Sequence, residues 1–155
     1  MTFTSVEPAT KSFERLSVDD RLALLWFIYT EMGGAITPAA PGAAASEIVE
    51  GLFNQVQELS YDEQLQVMRD LASRTNGTIS REYGSLSPDS KLAFWYRLAQ
   101  GMDDETIVPM PSDYKMASAA EQLFTTIKGM DFQQQITLLR SSVLNMGTEA
   151  KETGI

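Results

Sequence analysis

Apolar residues recur along this chain every three or four positions, in runs of ten or more, and almost nowhere in strict alternation. Leu22, Leu25, Trp26, Tyr29 and Met32 follow the i, i+3, i+4, i+7, i+10 spacing of one helix face, and Leu92, Trp95, Tyr96, Ala99 and Met102 repeat it. The pattern predicts an all-α chain. Its helices are expected near 18–32, 44–58, 61–74, 88–101, 116–128 and 132–146, with a short helical turn at 79–84. Helix starts carry a shared signature, L-S-x-D-x-x-L, at Leu16–Leu22, Leu59–Leu65 and Leu86–Leu92. The serine serves as N-cap and the acidic first turn suits the helix dipole. Glu63 completes a capping box with Ser60, Pro88 suits the first helical position, and Met130–Ile136 is a degenerate fourth copy. Breaks fall at Gly33-Gly34 through Pro41-Gly42, at Asn76-Gly77 and at Pro109-Met110-Pro111.

The signatures are unevenly spaced but pair at a shift of 70 or 71 residues, and the shift holds elsewhere. Glu50–Val56 matches Glu121–Ile127, Leu65–Asp70 matches Ile136–Ser141, Pro38 matches Pro109, and Arg21–Leu24 matches Lys91–Phe94. This reads as an internal duplication within one domain, 1–155, with halves at about 16–77 and 86–147 and a polar tail at 148–155 that is expected to fray. Two copies are too few for a solenoid, so they are expected to pack about an approximate two-fold axis around a shared interior.

Composition narrows the chemistry. The 155 residues include neither cysteine nor histidine, which removes disulfides, thiol nucleophiles, Ser-His pairs and imidazole or thiolate metal sites. Without a base to activate them, Ser17, Ser60 and Ser87 read as caps. Glu47 and Glu50 cannot complete a ferritin-like metal site and read as a solvated face, and Asp103-Asp104-Glu105 reads as a turn-capping surface cluster. Twelve Lys and Arg against 21 Asp and Glu give a net charge of −9, unfavourable for nucleic acid. No basic segment leads into an apolar run at the N-terminus, and the longest apolar stretch, Leu22–Tyr29, is eight residues. The expectation is a cytoplasmic, monomeric binding protein rather than an enzyme.

Large apolar residues at helical spacing are more often core than pocket. Two features favour a pocket. The first stripe lies on a helix that is apolar nearly all round, and eight methionines supply adaptable lining. A pseudo-symmetric channel walled by Trp and Tyr suits a long, flat, nearly symmetric apolar molecule. Arg140, between Leu139 and Val143, is either a snorkelling rim residue or a docking contact for an acidic partner.

Leu22–Gly33, Ala40–Ala44, Lys91–Tyr96 and Gln134–Arg140 together resemble the N-terminal domain of the cyanobacterial orange carotenoid protein, and the likeness runs from about residue 13 to 147. With the C-terminal lid domain of that family missing, the chain resembles a helical carotenoid protein, a stand-alone paralogue of the domain. The resemblance implies two interleaved helical bundles enclosing a central apolar channel for one keto-carotenoid, such as canthaxanthin, echinenone or a hydroxylated relative. The implied lining is Leu22, Leu25, Trp26, Tyr29, Met32, Met68, Leu92, Trp95, Tyr96, Met102, Met110, Tyr114, Ile136, Thr137 and Met146. The implied role is photoprotection, chiefly quenching of singlet oxygen. Quenching of phycobilisome excitation at the thylakoid antenna, with docking through Arg140, is a further implication. A separate C-terminal-domain homologue that delivers carotenoid and, as a lesser expectation, a chloride ion complete the implied partners. The competing reading is a helical interaction or carotenoid-carrier module without a quenching role.

Overall fold

The computed structural model describes residues 2–32 and 47–147, with side chains from 7–31 and 47–147. Eight helices are present among them: α1 Thr2–Arg15, α2 Val18–Met32, α3 Glu47–Gln57, α4 Tyr61–Ser73, α5 Thr78–Gly84, α6 Pro88–Asp104, α7 Ser118–Lys128 and α8 Phe132–Leu144. No strand occurs in the described residues.

Local capping chemistry explains four of the eight helix starts among the described residues. Ser60 accepts from the Glu63 amide at 3.2 Å while the Glu63 carboxylate accepts from the Ser60 amide at 3.1 Å, a closed capping box. Ser17 and Ser87 accept from the amides of Asp20 and Ser90, each at 3.1 Å. The degenerate fourth start is also a full box: Asp131 takes the serine's place, accepting from the Gln134 amide at 2.8 Å, and the Gln134 side chain reaches back.

Two elements differ from expectation. Helix α6 runs past Gly101 to Asp104 and stops where Glu105 turns left-handed at φ 71. Gly101 stays in the helix because Ile107 folds back onto it, so closely that an added Cβ would lie 2.5 Å from Ile107 Cγ1. Helix α1 had no cap signal, has no acidic residue in its first turn and carries Pro8 inside. It is held by burial of Ala9 and Phe13, and Glu14 accepts from Asn145 at 3.0 Å.

Most of the helix packing follows the duplication. Helix α2 packs on α4 and α7, and α6 packs correspondingly on α8 and α3. Helices α2 and α6 thus each pack on both halves and meet each other at the centre, as expected for interleaved bundles. Helix α1 packs on α8 and α7 just as α5 packs on α4 and α3, so the repeat starts one helix earlier than the signatures suggested. Phe13 and Tyr83 are the equivalent core residues of that extra helix, 2% and 0% exposed.

Helix α2 has two faces to bury because it has two sets of neighbours. Leu24 and Ile28 are buried in the core, and Phe27 meets Phe124 of α7 with ring centroids 5.6 Å apart. The stripe of Leu22, Leu25, Trp26 and Tyr29 is left for another surface. No helix among the described residues is long and apolar enough to cross a membrane.

Candidate functional site

That surface is a half-open cavity of about 170 Å³. Helix α2 supplies Leu22, Leu25, Trp26 and Tyr29, and α4 supplies Leu65, Met68 and Arg69. Helix α6 supplies Trp95, Leu98, Ala99 and Met102, and the segment after it supplies Val108, Pro109, Met110, Pro111 and Tyr114. A second cavity, about 230 Å³, shares Trp26, Tyr29 and Ala99 with the first and adds Tyr96, Thr30, Gln100 and Asp103. The two therefore adjoin at those three residues, between α2 and α6.

The polar ends of Tyr29 and Trp95 are directed into the protein. Tyr29 Oη donates to the Leu92 carbonyl at 3.0 Å. Trp95 Nε1 donates to Tyr83 Oη at 3.0 Å, and Tyr83 in turn donates to the Val143 carbonyl at 2.6 Å. Burial pushes the Tyr29 and Tyr83 hydroxyls well above the usual phenol range, so both stay neutral. With their donors satisfied, Tyr29 and Trp95 present carbon surface to the cavity. Tyr29 and Tyr96 pack with centroids 6.2 Å apart, tilted by 40°, and Phe94 meets both Tyr83 and Trp95 edge-on.

The segment after α6 is strapped over the cavity at two points. Buried Gln64 donates to the Thr106 carbonyl at 3.3 Å and accepts from the Val108 amide at 2.7 Å. Buried Asp20 accepts from Tyr114 Oη at 2.6 Å and from the Ala117 amide at 3.2 Å. Loss of solvation, then the hydrogen bond to Asp20, push the Tyr114 hydroxyl up to about 12. Arg69 and Asp19 form a two-pronged ion pair, 2.9 and 3.2 Å, on the solvent side of the same cavity.

Of the lining residues implied by the sequence, Leu22, Leu25, Trp26, Tyr29, Met68, Trp95, Met102, Met110 and Tyr114 share the first cavity, and Tyr96 joins the second. The Met32 side chain lies outside the described residues. Leu92, Ile136 and Met146 are buried in the packed half around α8, and Thr137 is exposed; none of the four borders either cavity. Arg140 binds Asp89 at 2.7 and 3.1 Å, joining α8 to the start of α6. Glu50, expected on a solvated face, has a side chain 45% exposed and also ties α3 to α6 through Arg97 at 2.7 and 3.3 Å.

Sequence reasoning missed Leu65, Leu98, Ala99 and Val108 as lining and Tyr83 as the partner of Trp95. Ala99 lies on the stripe, but so small a side chain carries no pocket signal in sequence. Tyr83 was legible by extending the duplication backwards, since it aligns with Phe13 at the shift of 70.

The family model "Orange carotenoid protein, N-terminal" matches residues 1–149. An orange carotenoid-binding domain-containing protein of Nostoc sp. strain PCC 7120 is 53% identical over 137 residues, covering 88% of this chain and 80% of that protein. The red carotenoid protein of Anabaena (Nostoc) sp. PCC 7120, solved binding canthaxanthin, is 51% identical with a TM-score of 0.83; the match covers 94% of this chain and 99% of that one. The orange carotenoid protein of the same organism, also solved binding canthaxanthin, is 43% identical with a TM-score of 0.88. That match covers 97% of this chain but 48% of the relative, so the chain spans about half the length of the orange carotenoid protein.

Proposed function

The chain belongs to the family of the orange carotenoid protein's N-terminal domain, and on that premise we propose that it binds one keto-carotenoid in the α2–α4–α6 cleft for photoprotection, chiefly against singlet oxygen. The observation that carries the reading is the treatment of polar atoms at the cavity. The Tyr29 hydroxyl and Trp95 indole N–H are paired with protein acceptors, leaving aromatic faces, Met68 and Met102 as the wall. Such a wall suits a polyene, whose removal from water is favourable by roughly 25 cal/mol per Å² of apolar surface. Canthaxanthin, named for both solved relatives, is the first candidate.

A bound keto-carotenoid supplies the excited-state chemistry, and the protein's share is to hold, orient and shield it. Leu25, Tyr29 and Trp95 set the plane of the channel, and the strap 108–114 excludes water from one side. This work requires no general acid, base or nucleophile, so the proposed activity is non-enzymatic. Delivery of the pigment by a C-terminal-domain homologue and docking on a phycobilisome through Arg140 belong to the same reading. Docking would have to displace Asp89, and the charge of −9 opposes approach to an acidic antenna.

Purification from a canthaxanthin-producing host tests the reading. A coloured protein with canthaxanthin in its organic extract is the expected result. A colourless preparation with no extractable pigment overturns it and leaves a helical interaction module with an aromatic core.

A further inference from the structure

The cavity wall is apolar except at one end, where Asp19, Arg69 and Tyr114 meet. The deep residues Leu25, Tyr29, Trp95 and Leu98 are buried, whereas the Arg69 and Asp19 side chains are 41% and 46% exposed; that end therefore lies at the mouth, whose rim also includes the exposed Pro109 and Pro111. Tyr114 directs its hydroxyl hydrogen to Asp20 and has none left to offer.

Arg69 is different. A guanidinium has five N–H donors, and Asp19 takes two of them, from Nε and Nη2. The remaining three have no protein partner among the described residues. The two-pronged grip fixes the plane of the guanidinium, an orientation a single contact would not hold, and leaves both Nη1 N–H groups unclaimed by Asp19. Tyr114 lines the same cavity as Arg69 and Asp19, so the three polar side chains share the mouth.

We infer that Arg69 is a specificity residue: it donates to an oxygen on the terminal ring of the carotenoid, so that the mouth selects an oxygenated end group and seats it outward. The inference rests on the carotenoid-binding reading and adds to it an orientation and a discrimination. An oxygenated ring placed deep in the cleft would find its polar atom among Leu25, Leu98 and the faces of Tyr29 and Trp95, with no donor. Placed at the mouth, the same oxygen accepts a charge-assisted hydrogen bond. A ring lacking oxygen gains nothing at Arg69 and partly covers its N–H groups.

The test loads the full chain from an equimolar mixture of echinenone, which differs from β-carotene by a single ring ketone, and β-carotene, and measures the bound ratio by extraction and chromatography. Wild type is expected to favour the ketone by about three- to tenfold, a charged hydrogen bond discounted for exposure. Arg69→Met keeps the aliphatic stem and should bring the ratio close to one; Arg69→Lys should restore part of it. Because the ratio is read within the bound pool, it does not depend on how much of a variant folds. With echinenone, which has one ketone, the C=O stretch in resonance Raman should shift down in wild type and lose that shift in Arg69→Met. Wild type and Arg69→Met with the same ratio and the same C=O frequency overturn this inference while leaving carotenoid binding intact. Wild type that retains neither pigment overturns the binding reading and this inference together.

Discussion

Arg69 and Arg140 are duplicates that hold duplicate partners. Arg140 stands 71 positions after Arg69, and Asp89 stands 70 after Asp19. Arg69 ties α4 to the start of α2 at 2.9 Å, and Arg140 ties α8 to the start of α6 at 2.7 Å. The environments have since diverged: the first pair rims an open cavity, while beside the second Leu92, Ile136 and Leu139 close the interior.

Pairing of Arg140 with Asp89 bears on antenna docking. Both side chains are more than a third exposed, so the pair contributes on the order of 0–1 kcal/mol to stability, and a double-mutant cycle of Asp89→Ala with Arg140→Leu should return a value in that range. Phycobilisome fluorescence is expected to be indifferent to the holo-protein and to its Arg140→Leu variant. Clear quenching by wild type, lost in Arg140→Leu and weakened by salt, would make this protein an antenna regulator.

Trp26 and Trp95 come from different halves and border one cavity. Replacing either with Ala should lower pigment retention or shift the visible spectrum while the far-UV helical signal persists. Unchanged pigment content and spectrum in both variants would reassign the stripe to ordinary core.

Tyr83 fixes the indole of Trp95 from behind. Tyr83→Phe keeps the ring packing but leaves a buried indole N–H without its acceptor, a loss of about 1–3 kcal/mol. Urea unfolding should show that loss in the midpoint with little change in slope.

Tyr114 makes stability depend on alkaline pH. Its hydroxyl is raised to about 12, first by loss of solvation and then by the bond to Asp20, from an unfolded value near 10. Between those values the unfolded chain has released the proton and the folded chain still holds it, so stability falls as pH rises through the window and is unaffected below it. Tyr114→Phe should flatten that fall in urea titrations at stepped pH. A residual slope is expected because buried Tyr29 and Tyr83 respond in the same direction.

Gly101 sits where α6 is overlapped by the returning chain. Gly101→Ala places a methyl 2.5 Å from Ile107 Cγ1 and 3.2 Å from its Cβ, and Ile107 is fully buried. The overpacking should cost about 1–3 kcal/mol despite alanine's better helix propensity, measurable as a lower thermal midpoint. A more stable variant would mean that Ile107 moves freely.

The amino-acid sequence by itself determined the helices that begin with a cap, the duplication and the aromatic stripe. These are local or repetitive signals: Ser60 and Glu63 meet three residues apart whatever surrounds them, and a 3.6-residue period marks a buried face before its neighbour is known. Helix α1 escaped because it has Pro8 inside and no cap; only the pocket for Phe13 between α7 and α8 makes it worth forming. Tertiary structure alone decided which stripe residues face a cavity. Leu22 lines it and its duplicate Leu92 is packed, since side chains at equivalent helical positions meet different neighbours. It alone brought Asp20 to Tyr114 across 94 positions, Gln64 to Val108 across 44 and Asp19 to Arg69 across 50. No period or cap encodes such distances. Asp20–Tyr114 and Gln64–Val108 follow from the interleaving of the two halves and Asp19–Arg69 from the packing of α2 on α4 within one, and together they build the strap and the mouth of the cleft.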